Sequence, residues 1–258
     1  MGKTIAIFNQ KGGVGKTTTN INLAACLANK GKHILVIDID PQGNTTSGLG
    51  ISKKDLEITM YDVLIDENLD PKTAILKTST ENLDILPADV KLAGGEIELV
   101  RIEGREHRLK SGLSKIKDDY DFIFIDCPPS LGLLTINSLT AVDSVLIPIQ
   151  CEFYALEGVS QLMSTIDLVK QNLNPELEIQ GVILSMFDGR TNLSIQVVDE
   201  VKKHFKDKVY TTVIPRNVRL AEAPSYGMPI VEYDAKSKGA EAYIEFAAEF
   251  LETEGLKG

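Results

Sequence analysis

Cysteine is scarce in this chain of 258 residues: Cys26, Cys127 and Cys151 are the only three. They are scattered and form no C-x-x-C spacing, which excludes a disulfide framework and a cysteine-held zinc site and fits a reducing compartment. Their expected role is that of small buried hydrophobes. Long apolar runs are also missing. No stretch approaches the roughly 20 residues that span a bilayer. The first apolar run, TIAIF, is too short for a signal peptide, and Ala6 stands where a myristoylation signal needs Ser or Thr. Basic charge is short as well: 27 Lys and Arg face 37 Asp and Glu, for a formal net charge of −10. A surface of that sign does not attract nucleic acid as a whole, so any such binding must come from a local basic patch. Low-complexity linkers, repeats and a disordered tail are absent too. With 43% hydrophobic and 25% charged residues, the expectation is a soluble cytoplasmic protein with an ordinary core, forming one domain over residues 1–258.

What is present is a recurrence of short apolar, β-branched runs. They are TIAIF (4–8), HILVID (33–38), LDILP (83–87), FIFID (122–126), SVLIPI (144–149), IQGVILSMF (179–187) and VYTTVIP (209–215). Most are apolar at consecutive positions rather than alternating, as in strands buried on both faces of a parallel sheet. Helix-like segments lie between them, among them 17–32, with Gly31 as C-cap, and 156–173, with Leu162, Ile166 and Val169 at helical spacing. This alternation predicts right-handed βαβ units and an α/β fold: a doubly wound, mostly parallel sheet flanked by helices. Region 43–82 is the least regular and reads as an insertion after the second strand.

Ligands of such sheets bind beyond the carboxyl ends of the strands. After the first run comes NQKGGVGKTTTN (9–20), which ends as a phosphate-binding loop does, in Gly15, Lys16 and Thr17. The first glycine of the usual G-x-x-x-x-G-K-[ST] pattern is replaced by Gln10, and Lys11 adds a second lysine. Gly12, Gly13 and Gly15 let the backbone around Val14 curl so that N–H groups face phosphate oxygens, at the positive end of the following helix. Lys16 is expected to bridge the β- and γ-phosphates, and Thr17 to hold Mg²⁺ through its hydroxyl. FIFIDCPP places Asp126 as a Walker-B aspartate that holds the metal through its water shell. HILVIDIDPQGN supplies Asp38, nearer the strand and the metal, and Asp40, placed to orient an attacking water. A D-x-D at a strand end also serves as a plain turn or cap. Here it follows a phosphate loop by one helix, which favours the functional role.

Taken together, KGGVGKTT (11–18), DIDPQGN (38–44) and DCPPSLG (126–132) resemble the deviant Walker-A P-loop ATPases, and within them the ParA/Soj chromosome- and plasmid-partition ATPases. The similarity continues through LIPIQCEFYALEG (146–158), FDGRTNLS (187–194) and VIPRNVRLAEAPSYGMPI (213–230), so it covers almost the whole chain. The resemblance implies an ATP- and Mg²⁺-dependent homodimer with slow intrinsic hydrolysis. Lys11 would reach across a two-fold interface to the phosphates of the other subunit, where a bland reading makes it a solvated surface charge. Gly12 would lie at that interface, and Asp40 would support hydrolysis. Thr18 would contact the α-phosphate. Pro215, Arg216 and Asn217 would frame the adenine beside Met186 and Phe187, and Pro128 and Pro129 would relay the γ-phosphate to the interface.

The resemblance also implies partners: double-stranded DNA bound without sequence preference, and a ParB-type centromere-binding protein that accelerates hydrolysis, which would make the protein nucleoid-associated. Basic residues thicken late in the chain, at Arg190, KKHFKDK (202–208), Arg216 and Arg219, with Arg190 and Arg219 the expected DNA contacts; the lysine run also suits a solvated helix end. Two rival readings share the scaffold. A MinD-like membrane-positioning ATPase needs a basic amphipathic C-terminal helix. Here Tyr243, Phe246, Ala247 and Phe250 form a stripe beside Glu241, Glu245, Glu249, Glu252 and Glu254, which an acidic membrane repels, so no membrane partner is expected. An ATP-dependent metabolic ligase needs a substrate pocket; an iron–sulfur reductase needs cysteines placed otherwise.

Overall fold

The structure is a computed structural model that describes residues 2–152 and 155–256. Phe153 and Tyr154, within the segment 146–158, lie outside the described residues. Eight strands form one sheet: β1 (Lys3–Ile7), β2 (Ile34–Asp38), β3 (Leu76–Lys77), β4 (Leu83–Leu86), β5 (Phe122–Asp126), β6 (Ser144–Gln150), β7 (Glu178–Phe187) and β8 (Val209–Pro215). Their order is β3-β4-β2-β5-β1-β6-β7-β8, parallel throughout except that β3 runs antiparallel to β4. All but β3 correspond to the apolar runs of the sequence. The α-helices are α1 (Lys16–Asn29), α2 (Asn44–Gly48), α3 (Met60–Ile65), α4 (Lys91–Leu99), α5 (Arg108–Leu113), α6 (Leu133–Ala141), α7 (Ala155–Asn172), α8 (Asn192–Phe205), α9 (Val218–Glu222), α10 (Ile230–Tyr233) and α11 (Lys238–Thr253).

The consecutive apolar runs have the cause expected of them. Ala6, Leu35, Ile37 and Ile125 face a core with Leu64 of α3, Leu92 of α4, Leu134 of α6 and Leu162 of α7. Their neighbours Ile7, Val36 and Phe124 face a second core with Leu23 of α1 and Phe246 and Phe250 of α11. A period of two thus sends alternate residues into opposite apolar layers. α1 ends as Gly31 takes a left-handed conformation (φ +78°) and its N–H donates to the Ala28 carbonyl at 2.9 Å.

One feature differs from the sequence reading. Region 43–82 is part of the domain rather than an insertion. It holds α2, α3 and the edge strand β3, and buries Met60, Val63 and Leu64 in the first core. The cap of α3 explains its order: the Thr59 N–H donates to Asp62 Oδ2 at 2.8 Å in a reciprocal capping box. The α11 stripe of Tyr243, Phe246, Ala247 and Phe250 is fully buried. Phe250 meets Phe122 edge-on at 5.3 Å and Phe246 meets Tyr210 at 4.8 Å, so this apolar face is committed to the core. Among the described residues no helix is long and apolar enough to cross a membrane.

Candidate nucleotide-binding site

The glycine-rich loop leaves the carboxyl end of β1 in the middle of the sheet, between the ends of β5 and β6. Asn9 fixes its start: Nδ2 donates to the Pro148 carbonyl at 2.9 Å and Oδ1 accepts from the Lys11 N–H at 3.0 Å. Gly13 and Gly15 are left-handed (φ +76° and +90°), a conformation that a side chain would strain, and they turn the chain back on itself. The Val14 carbonyl is held by the Ser185 hydroxyl at 2.8 Å, and Val14 itself is buried. The turn opens directly into α1 at Lys16, so the loop amides and the helix amino terminus face one space. That space is a cavity of about 630 Å³ lined by Gly12, Gly13, Gly15, Lys16, Thr17 and Thr18, with Asp40, Pro128, Pro129 and Met186 opposite. Lys16 is almost buried, and its ammonium donates to the Lys11 carbonyl at 3.1 Å. Burial pulls its pKa down, which the Asp126 charge partly opposes.

Two carboxylates stand side by side at the strand ends, since Asp38 of β2 pairs in register with Asp126 of β5. Their surroundings differ. Asp38 is fully buried beneath α2, where Oδ2 accepts from the Thr46 N–H at 2.8 Å and its hydroxyl at 2.7 Å. Its other oxygen accepts from the Asp40 N–H at 3.2 Å. Asp126 Oδ2 accepts from the Thr17 and Thr45 hydroxyls, each at 2.7 Å, whereas the buried Oδ1 has no hydrogen-bond partner among the described residues. Burial drives both carboxyls above the usual carboxylate range, and for Asp38 the neighbouring Asp126 charge adds to it. A divalent cation suits this place: hard oxygen donors, clustered negative charge and one carboxylate oxygen left over. Thr17 and Asp126 are brought together as expected of a metal-holding pair. Asp38 faces Thr46 with both oxygens engaged. Asp40 lines the cavity half-buried, with Oδ1 accepting from the Gln42 N–H at 2.9 Å.

A second cavity of about 350 Å³ adjoins the first through Gly15, Thr18 and Met186, and Pro215, Arg216 and Asn217 line its far side. Its wall is mostly apolar, as a flat heterocycle requires. Phe187 does not line it, but its carbonyl accepts from the Arg216 N–H at 3.3 Å, and Met186 takes φ +51° at the seam. Two further cavities of about 390 and 460 Å³ meet at Lys3, Asp118 and the amino ends of the strands, and hold none of these residues.

Residues 2–179 match the AAA domain family. The chain is 64% identical over 249 residues to the sporulation initiation inhibitor protein Soj of Bacillus subtilis, which covers 96% of this chain and 98% of that protein. It is 52% identical over 258 residues to the chromosome partitioning protein ParA of Myxococcus xanthus, covering 100% of this chain and 90% of that one. The chain belongs to the ParA/Soj family of P-loop ATPases. The fold is shared more widely: a Mycobacterium smegmatis structure described as cobyrinic acid a,c-diamide synthase with bound ADP and magnesium superposes at TM-score 0.85. It is 39% identical and covers 98% of this chain and 96% of that chain.

Lys11 and Gly12 are the loop residues that the resemblance places at a subunit interface. Lys11 lies at the rim, and its ammonium forms an ion pair with Glu152, just past the end of β6. Gly12 is exposed, and a Cβ added there would meet no described atom within 4 Å. The two arginines expected to bind DNA are exposed but paired. Arg190 donates to Asp188 through Nε at 2.8 Å and Nη2 at 2.7 Å. Arg219 donates to Glu222 at 2.8 Å and lies 3.5 Å from Asp234. Sequence reasoning missed Thr45, Thr46, Asn9 and Glu152. The threonine pair follows DPQGN within a polar turn, and only its position after Asp40 hinted at a role.

Proposed function

We propose that this ParA/Soj ATPase is a nucleotide-gated DNA switch that partitions a chromosome or plasmid. ATP is its nucleotide and Mg²⁺ its metal. Lys16 and the loop amides hold the β- and γ-phosphates, Thr18 lies toward the α-phosphate, and Pro215, Arg216, Asn217 and Met186 enclose the adenine. Thr17 and Asp126 would hold the metal, Asp126 through the metal's water shell, with Asp38 behind them as a neighbouring charge; a bound divalent cation would supply positive charge against the phosphates. Asp40 orients the attacking water.

The observation that carries the dimer is Gly12. Its φ lies outside the left-handed region and its surroundings are open, so nothing in the described chain requires a glycine there. A second copy packing on that rim does require one. Two Mg-ATP sites of about two negative charges each, ~10 Å apart, repel by roughly 2 kcal/mol even in water, and by more once water leaves. Lys11 interposed from the partner offsets that, at the expense of its own pair with Glu152. The γ-phosphate thereby becomes the switch for assembly. Sedimentation velocity tests this: a dimer in ATP and a monomer in ADP is the expected result, and a monomer in both sinks the sandwich.

The dimer binds DNA non-specifically through doubled arginine patches, and hydrolysis stimulated by a ParB-type partner releases it, in the cytoplasm at the nucleoid. Arg190 and Arg219 must exchange carboxylates for phosphates, which exposed, salt-screened pairs permit. Changing both to Glu should weaken DNA binding at least ~10-fold at moderate salt and flatten its salt dependence, with ATP turnover in the absence of DNA unchanged. An unaltered salt slope would move the DNA surface elsewhere. The similarity to the diamide synthase structure favours the ligase alternative. However, among the described residues the two cavities lined by Gly15 and Thr18 suit phosphates and a base, and a ligase needs room for a further substrate beside them. A metabolite that raises ATP turnover many-fold without DNA would revive it. For a MinD-like role, the α11 stripe would have to leave the core.

A further inference from the structure

The five-residue helix α2 ends the loop that carries Asp40, and it touches three strand ends at once. Thr45 donates its hydroxyl to Asp126 Oδ2 at 2.7 Å, and Thr46 gives Asp38 its hydroxyl and N–H at 2.7 and 2.8 Å. The Thr46 oxygen in turn accepts from the Ala88 N–H at 3.0 Å, just beyond β4. Both threonines are fully buried. Asp40 is joined to this helix by a tight turn: Gly43 is left-handed (φ +60°), and its N–H donates to the Asp40 carbonyl at 2.8 Å. A Cβ on Gly43 would come within 2.8 Å of the Ala88 carbonyl, so the turn has little room to shift alone.

A buried carboxylate held for structure alone would have both oxygens satisfied. Asp126 instead takes two hydroxyls on one oxygen and none on the other. One of those donors, Thr17, belongs to the phosphate loop, and the other, Thr45, to the Asp40 loop. We infer that Thr45 is a positioning residue that couples the metal-holding pair, Thr17 and Asp126, to the loop bearing Asp40. Both hydroxyls meet the carboxylate on Oδ2, which in this reading leaves the other oxygen for the metal, and a shift of that carboxylate would move α2 and, through the Gly43 turn, Asp40. This rests on the reading of Thr17 and Asp126 as the metal-holding pair. Removal of one such outer hydrogen bond typically weakens metal binding by about 10- to 100-fold.

The test is Thr45→Val, which keeps the shape and removes the hydroxyl, with Thr45→Ser as the conservative partner. The readout is binding of a fluorescent ATP analogue in EDTA and across a Mg²⁺ titration. The expected result is affinity in EDTA within about two-fold of wild type, half-saturating Mg²⁺ raised about ten-fold or more, and Thr45→Ser close to wild type. A Mg²⁺ titration that overlays wild type overturns the inference, and so does equal weakening with and without the metal. Hydrogen exchange on the unaltered protein needs no variant: amides of residues 43–49 should be better protected in ATP with Mg²⁺ than in ATP with EDTA, and equal protection overturns the inference. Wild-type binding indifferent to Mg²⁺ would overturn the metal pair itself and this coupling with it.

Discussion

Gly12→Val should give a protein that binds ATP as well as wild type, sediments as a monomer in ATP, and binds duplex DNA at least ~100-fold more weakly. The first part follows from the open surroundings of Gly12. A side chain there meets no described atom within 4 Å, and the backbone is not left-handed, so neither fold nor loop is disturbed. Gly13 and Gly15 offer no such clean test, because their left-handed φ would strain any substituent and confound binding with loop geometry. The second part follows from apposition of two loops, which a branched side chain at the rim holds apart. The third follows from counting phosphate contacts. Affinity grows steeply with their number, so halving them by leaving one subunit lowers binding far more than two-fold. A Gly12→Val protein that still dimerises in ATP would place the interface away from this rim.

Asp40→Ala should reduce ATP turnover about 100-fold or more while leaving ATP binding intact, and should prolong the ATP-bound dimer on DNA. Asp40 lines the phosphate cavity half-buried, and its carboxylate is engaged within the described residues only by the Gln42 N–H. Its loss removes no hydrogen-bond donor side chain from the cavity, and it leaves the loop and Lys16 that line it in place. It also leaves Asp38 and Asp126 where their threonines hold them. Binding and turnover should therefore separate, the mark of a group that acts on the attacking water rather than on the ground state. Turnover within a few-fold of wild type would remove Asp40 from the hydrolytic machinery.

How far the sequence reaches can be judged from particular residues. Seven strands are legible because parallel strands buried on both faces must be apolar at consecutive positions, as FIFID is. β3 is not: two residues on an antiparallel edge leave no periodicity to read. The phosphate loop and Asp126 are legible because local spacing alone places them. Asp38 shows where spacing stops helping. Spacing i, i+2 puts two side chains on one side only while the chain stays extended. β2 ends at Asp38, whose oxygens are engaged by Thr46 and the Asp40 N–H, while Asp40 lines the cavity. Thr45 and Thr46 looked like any polar turn, and their burial is a tertiary fact. The Glu152 partner of Lys11 lies 141 residues away, and the carboxylates that meet Arg190 and Arg219 hid among many acidic neighbours.

The most direct measurement is salt-dependent binding to random duplex DNA with ATP, ADP or no nucleotide, for wild type and Asp40→Ala. The account predicts binding in ATP alone, more persistent in Asp40→Ala, with affinity falling steeply as salt rises. Binding that is absent in every nucleotide state while ATP is still bound, or equal in all of them, would contradict it.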